Sequence, residues 1–322
     1  MARRSVTERI VRRAWFAAGK LRSNPLQGVR DLPGFRPPSL AERVAGKVVM
    51  VTGASSGIGE ATARHVGRAG ATVLLVARRP EALAEVREAI EAEGGTAVDL
   101  PTDLTDADAV AALGARVVED FGGVDVLINN AGMSIRRSIV RSVDRPDTYE
   151  RTMELNYLAA VRLMLALLPS MRERGGAHIV NVTTLAVQVN APRFSAYVAS
   201  KSALEAFTRV ARAETLSNNI VFTNIRMPLV RTPMSEASPV WNVFPALTPE
   251  DAAEMVVDAI RRQPRELNTP FGSMVELGTR LTPRVADQLL HRFHRLFPEE
   301  GLENFEPSRL QRQIAKAVGP RR

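Results

Sequence analysis

The sequence predicts a doubly wound α/β fold, a parallel sheet covered by helices on both faces. Three observations lead there. From Lys47 onward, short apolar segments alternate with amphipathic helical ones. The apolar segments lack the in–out alternation of a half-exposed strand, so both of their faces need cover. A glycine-rich turn, residues 52–59, sits at the first strand-to-helix junction, beside the crevice where such sheets take their ligands.

The elements follow in order. Residues 1–22 read as a basic amphipathic helix, with Val6, Ile10, Trp15 and Phe16 among arginines, and 23–40, rich in Pro and Gly, as a linker. KVVMVT is the first strand and 57–70 the first helix of the repeat. ATVLLVA (71–77) follows, then a helix opened by Pro80, whose missing N–H costs nothing in a first turn. TAVDLP, a helix over 106–120 and VDVLIN (124–129) continue the alternation. A long helix near 148–172 leads to AHIVNVTT (177–184), a helix over 195–216 and a sixth strand over 219–227. Beyond Thr248 the expectation is helices at 249–262 and 284–296, with a short strand near 265–269. The chain thus divides into a basic extension and linker (1–44), an α/β domain (45–262) and a helical C-terminal extension (263–322).

Composition narrows the function. The chain of 322 residues has no cysteine, which excludes disulfides, thiolate metal sites and thiol nucleophiles, and suits a reducing, cytoplasmic setting. No run of about 18 apolar residues suggests a membrane span, and the basic start lacks the apolar stretch of a secretory signal. Residues 1–47 hold eleven Lys or Arg against three Asp or Glu, so the whole net charge of +8 lies there and the rest is neutral overall. Basicity confined to an extension gives no basic face on the folded body, and no nucleic-acid partner is expected. The 1–22 segment could instead lie on an anionic membrane, as a peripheral contact, or be a disordered or partner-docking arm. His291 and His294 lack a third ligand nearby, and no metal is expected.

The turn itself reads Thr52-Gly53-Ala54-Ser55-Ser56-Gly57-Ile58-Gly59. Glycines let the backbone approach a pyrophosphate, and the helix N-terminus beyond offers unpaired N–H groups. The second strand runs into Arg78 and Arg79. An acidic residue there would bond ribose hydroxyls, whereas arginine suits a 2′-phosphate, so NADPH is the expected cofactor. Asp103, after the third strand, can accept from an adenine amine. Tyr197 and Lys201 stand four apart, one above the other on a helix. An ammonium beside a phenol is expected to lower its pKa from about 10, making Tyr197 a usable general acid.

These residues together resemble the short-chain dehydrogenase/reductase family, with its Rossmann-type sheet. The likeness covers about 45–262 and rests on TGASSGIG (52–59), Asp103, Asn129-Asn130-Ala131-Gly132, Asn156, IVNVTT (179–184), Tyr197 with Lys201, and Pro228 followed by Thr232. The resemblance implies a cofactor set of Gly53, Ser55, Ser56, Gly57, Ile58, Gly59, Arg78, Arg79, Asp103, Leu104, Asn130, Ala131, Gly132, Tyr197, Lys201, Pro228 and Thr232. It implies that Asn156 holds a relay water near the lysine, that Lys201 binds the nicotinamide ribose, and that Thr232 lies beside the carboxamide. Relatives pair subunits through the two long helices, so a homodimer or tetramer is expected. Two departures stand out. Thr184 occupies the place of the usual serine and keeps its hydroxyl donor, with Thr183 as an alternate. Pro228-Leu229 replaces the usual Pro-Gly, and 263–322 fall outside the likeness.

A narrower likeness, in SIRRSIVRSVDR (134–145), NAPRFSAYVASKSALEAF (190–207), MPLVRTPM (227–234), LTPEDAAEMVVDAI (247–260) and RLFP (295–298), is to bacterial long-chain fatty acyl-CoA reductases. It implies reduction of an acyl-CoA thioester to an aldehyde by direct hydride addition, since the route through a cysteine thioester is closed to this chain. Arg136 and Arg137 would then meet CoA phosphates, unless they are simply solvated. Trp241 and Phe244, in the loop 235–245, would form a lid over the acyl chain or merely pack. A reductase of ketones, 3-oxoacyl groups or steroids, and a non-catalytic cofactor-binding regulator, are the competing expectations.

Overall fold

In a computed structural model of the chain, residues 37–236, 244 and 246–297 are described. The expected 1–22 helix, most of the linker and Trp241 lie outside them. Seven strands form one parallel sheet in the order β3-β2-β1-β4-β5-β6-β7. They are β1 (Val48–Thr52), β2 (Thr72–Ala77), β3 (Thr96–Pro101), β4 (Val126–Asn129), β5 (Ala177–Thr184), β6 (Ile220–Met227) and β7 (Glu266–Leu267). The order reverses between β1 and β4, where a crevice opens at the strand C-termini.

Helices α1 (Leu40–Val44), α2 (Gly57–Arg68), α3 (Pro80–Ala92) and α4 (Ala107–Phe121) come before β4 or link the strands up to it. Between β4 and β5 run α5 (Asp147–Met153), a π turn (Glu154–Leu158) and α6 (Ala159–Glu173). After β5 come short α7 (Ala186–Val189) and long α8 (Ser195–Glu214). Beyond β6 lie α9 (Pro233–Glu236), α10 (Pro249–Arg262), α11 (Pro270–Leu281) and α12 (Pro283–Leu296).

The apolar strands do cover both faces. Val49, Val51, Val73 and Leu75 pack with Val66, Leu83, Ile90, Val256 and Ile260 in one core layer. Met50, Leu74, Val76 and Ile179 pack with Leu113, Val117, Leu163, Leu167 and Leu204 in the other. Successive residues of a strand point to opposite faces, so each strand feeds both layers.

Three features differ from expectation. Helix α1 closes the expected extension and linker (1–44), held by a capping box in which Ser39 and Glu42 each bond the other's backbone N–H. Helix α11 lies in the extension expected to be helical, but without bounds of its own there, although Thr269 caps it by accepting from the Gly272 N–H at 2.9 Å and Pro270 opens it. The long helix is broken by the π turn around Asn156. Single π turns recur at functional positions in helices.

Candidate active site

The phosphate turn is built by ties between the ends of β1 and β4. The Thr52 hydroxyl donates to the Ile128 carbonyl at 3.2 Å and accepts the backbone N–H groups of Asn130 and Ala131, both at 3.0 Å. The Asn130 amide donates to the carbonyls of Thr52 (3.0 Å) and Gly53 (3.3 Å). A Cβ on Gly59 would lie 2.1 Å from the Gly53 oxygen, so the turn closes only with glycine there. Gly57 has φ +58°, and a Cβ on it would come within 3.1 Å of Thr232 Cγ2. The cradle that these absent side chains leave fits a pyrophosphate lying on backbone. Ser56 is the N-cap of α2 but makes no capping bond, leaving its hydroxyl for an anion. Ser55 is partly exposed, and Ile58 packs its side chain on the core.

Arg78 and Arg79 stand exposed beyond β2, and their side chains make no hydrogen bond or ion pair among the described residues. The Asp103 carboxylate accepts from the Thr105 N–H (2.9 Å) and hydroxyl (2.7 Å). Those bonds, the backbone one foremost, and nearby Arg78 hold its pKa below the usual range. Leu104 is buried in the core, so only its backbone is open to a ligand.

Four further side chains converge at the ends of β4 and β5. Asn156, 1% exposed, is clamped by Met133, whose N–H donates to its Oδ1 (2.8 Å) and whose carbonyl accepts from its Nδ2 (2.9 Å). The same Nδ2 donates to the Ser200 hydroxyl at 3.0 Å, which joins Asn156 to the Tyr197 helix. A Cβ on Gly132 would sit 3.0 Å from Asn156 Oδ1 and 3.4 Å from Lys201 Nζ, so the backbone there runs past both. Lys201 donates to the Val182 carbonyl at 2.9 Å, and burial pushes its pKa down to about 8. The Tyr197 phenol lies beside the Thr184 hydroxyl. Thr184 Oγ1 also accepts the Ala186 N–H at 3.1 Å.

The expected depression of the phenol by the ammonium is not what the structure shows. Burial raises the Tyr197 pKa, and the nearby Thr184 hydroxyl only offsets part of that. The physical reason is the aim of Lys201, whose ammonium turns toward the β5 backbone. Thr183, the alternate to Thr184, points to the opposite side of β5 and donates to Glu205 Oε1 at 2.8 Å. Asn129 is equally committed, donating to Asn181 Oδ1 at 2.9 Å. Pro228 and Thr232 follow β6, and Thr232 lies against Gly57 across the crevice.

The outer residues are placed less simply. Arg136 and Arg193 both reach the C-terminus of α12. Arg193 donates to the carbonyls of Phe297 and His294, and Arg136 to that of Phe297 at 3.4 Å. Arg136 thus caps a helix. Arg137 is partly buried beside that contact and takes the Arg193 carbonyl on its N–H at 2.7 Å. Phe244 is buried against Phe293 and Phe297, with ring centroids 6.1 and 5.3 Å away. Together with Phe194, itself edge-on to Tyr197 at 6.4 Å, these rings line a small apolar cavity with Arg136 and Arg193. His291 and His294 face each other at 6.5 Å, and no group of three metal-ligating side chains occurs among the described residues.

One cluster escaped the sequence reading. Beside Thr183, Arg226 of β6 is 7% exposed and bonds both oxygens of Glu205, 2% exposed, at 3.0 Å from Nε and 2.7 Å from Nη2. Its Nη1 reaches Glu276 of α11 at 3.2 Å, and Glu276 accepts from Gln188 at 2.9 Å. Glu205 lies one turn beyond Lys201, so the spacing 197, 201, 205 marks a single helix face. An arginine and a glutamate at positions that the pattern buries were the available signal.

Comparison with known proteins agrees with this geometry. A family model described as short chain dehydrogenase matches residues 47–242. An uncharacterized oxidoreductase of Mycobacterium tuberculosis is 47% identical over 284 residues, 87% of this chain and 83% of that protein. A fatty acyl-CoA reductase of Acinetobacter baylyi is 48% identical over 257 residues, 80% of this chain and 87% of the relative. Among solved structures, L-sorbose reductase from Gluconobacter frateurii complexed with NADPH and L-sorbose aligns with a TM-score of 0.63 at 29% identity. That alignment covers 68% of this chain and 91% of the other. The glycine cradle, the parallel sheet and these relatives together make the chain a nicotinamide-dependent oxidoreductase that belongs to the short-chain dehydrogenase family.

Proposed function

We propose that the protein is an NADPH-dependent reductase that converts a long-chain fatty acyl-CoA to the fatty aldehyde and free CoA. The observation that carries the reduction is the Thr184–Tyr197 hydroxyl pair at the end of β5, with Lys201 and Asn156 packed behind it. The thioester substrate is supported by the Acinetobacter relative and by the absence of any cysteine for a covalent route. NADPH is supported by Arg78 and Arg79, whose guanidinium groups suit a 2′-phosphate.

The fitting groups would be the glycine turn with Ser55 and Ser56 for the pyrophosphate, Asp103 and the Leu104 backbone for the adenine, and Asn130 to Gly132, Lys201, Pro228 and Thr232 along the cleft. When bound, the cofactor supplies a hydride to the carbonyl carbon. Thr184 holds the carbonyl oxygen, and Tyr197 gives that oxygen its proton. As the hemithioacetal collapses, the C–S bond breaks, the carbonyl re-forms, the hydroxyl proton returns to the Tyr197 phenolate, and the thiolate leaves to be protonated. Lys201 and Asn156 hold the tyrosine helix in place behind the phenol. Arg137 suits a CoA phosphate, and Phe244 and Trp241 belong to the loop 235–245 that would border the acyl chain.

Two outer expectations belong to this reading. A homo-oligomer is supported by exposed Leu165 of α6 and Val210 of α8, which border a hollow lined by Met164, Leu168 and Phe207. No helix among the described residues is long and apolar enough to cross a membrane.

NADPH oxidation with palmitoyl-CoA, followed alongside free-thiol release, tests the proposal. Equal amounts are expected. A ketone reductase, the reading closest to the sorbose-reductase neighbour, would oxidise NADPH with ketones and release no thiol from acyl-CoA.

A further inference from the structure

Exposed large apolar side chains gather at one pole of the molecule. Val140 and Val143 follow β4, Leu277 and Leu281 lie on α11, and Val285 and Leu289 on α12, each between 55% and 83% exposed. All three segments sit at the C-terminal ends of the strands. Helix α11 is seated there because Gly272 presses on Leu185 and Gln188, just beyond β5. Helix α12 ends there because Arg193 and Arg136 hold its last carbonyls next to the segment after β4. The candidate active site opens between these attachments.

Two of the three segments are basic, and α11 is neutral. Residues 136–145 carry four arginines and one aspartate, and 283–296 carry three arginines, two histidines and one aspartate. A soluble monomer rarely leaves so much apolar surface open on one side. Apolar side chains among arginines are the composition that enters the headgroup boundary of an anionic bilayer. Uncharged protein partners would not call for the arginines. The location matters too, because this pole surrounds the mouth of the site rather than a remote face.

We propose that this pole docks on anionic phospholipid surfaces. The six apolar side chains enter the boundary between headgroups and chains while the exposed Arg284, Arg292 and Arg295 of α12 meet phosphates, and the site mouth faces the bilayer. The docking stands without the acyl-CoA reading; its use, passing a long chain between bilayer and site, rests on that reading.

Flotation of the full chain with vesicles provides the test, using phosphatidylcholine alone and phosphatidylcholine mixed with phosphatidylglycerol. The protein is expected to float with the mixed vesicles, and less with neutral ones or in high salt. The variant carrying Leu277→Glu, Leu281→Glu and Val285→Glu is expected to lose binding by about tenfold or more. Its unfolding temperature should be unchanged, because these positions are exposed. Turnover of a short, water-soluble substrate should also be unchanged. Flotation of wild type without regard to the acyl-CoA assay separates failure of the substrate reading from failure of docking. Three outcomes overturn the proposal: no flotation of wild type, equal flotation of the variant (which moves binding to another segment such as 1–22), or a smaller oligomer with flotation intact (which makes the pole an interface between copies).

Discussion

Lys201 meets two opposed requirements, because a buried ammonium costs stability while the site keeps it. With a folded pKa of about 8 and an unfolded one near 10.5, the unfolded chain holds more protons between those values. Stability therefore rises as pH climbs through that window. Lys201→Met should remove the rise and make the ligand-free protein more stable at neutral pH by about 1–3 kcal/mol, read by denaturant unfolding at both ends of the window. It should also abolish turnover, so a stable, inactive variant is the expected pair of results. Tyr197→Phe keeps the packing and deletes one hydroxyl. A fall in kcat of about 10²–10⁴-fold is expected, with cofactor affinity held within a few-fold in a fluorescence titration; unchanged kcat would remove Tyr197 from the chemistry. The spacing of Tyr197 and Lys201 was legible because a helix repeats every four residues. The choice between Thr183 and Thr184 was not, since strand alternation sends one hydroxyl to each face and only the partner, Glu205 or Tyr197, tells which. The direction of the Tyr197 shift was also hidden, because it depends on where a flexible lysine stem points.

At the scale of elements, the strands and the main helices were legible from apolar period and caps, whereas α1 and α11 were passed over despite their Ser39 and Thr269 caps. Helix α1, with five residues, carries little periodicity, so the composition rich in Pro and Gly before it outweighed its cap. The buried pair of Glu205 and Arg226 joins α8, β6 and, through Glu276, α11. Glu205→Gln leaves a buried guanidinium without its charge partner, and a loss of about 3–5 kcal/mol is expected in denaturant unfolding. A loss under about 1 kcal/mol would show that water or Glu276 compensates. At the turn after β2, Arg78→Glu should move cofactor preference from NADPH toward NADH, measured as the ratio of kcat/KM for the two. No change in that ratio would return Arg78 to an ordinary surface role.

Across the whole molecule, both core layers meet at a sheet that buries several polar side chains, and most of them are paired within it. His178 of β5 shows what such a core demands. Its Nε2 lies 2.9 Å from the Thr223 hydroxyl, which itself donates to the Pro264 carbonyl at 2.6 Å, so the ring must donate and stay neutral. Burial above all pushes its pKa down to about 3, against 6.5 when unfolded. The unfolded chain binds the extra proton, so stability falls as pH drops from about 6.5 toward 3. His178→Gln should flatten that acid limb by up to about 1.4 kcal/mol per pH unit, and an unchanged slope would place the acid sensitivity elsewhere.

The π turn bears on the molecule as a whole. One extra residue in a single wide turn rotates everything after it by about 100° relative to a regular helix. Upstream, Thr148 and Thr152 are buried; downstream, Leu163, Leu167 and Met171 fill the core. A continuous α-helix over these residues could keep one of those sets in phase, not both. Asn156 is housed in the step between them. The residue that joins the cleft is thus encoded as an insertion, and deleting any one of residues 154–158 would force a choice between a well-packed helix and a working crevice.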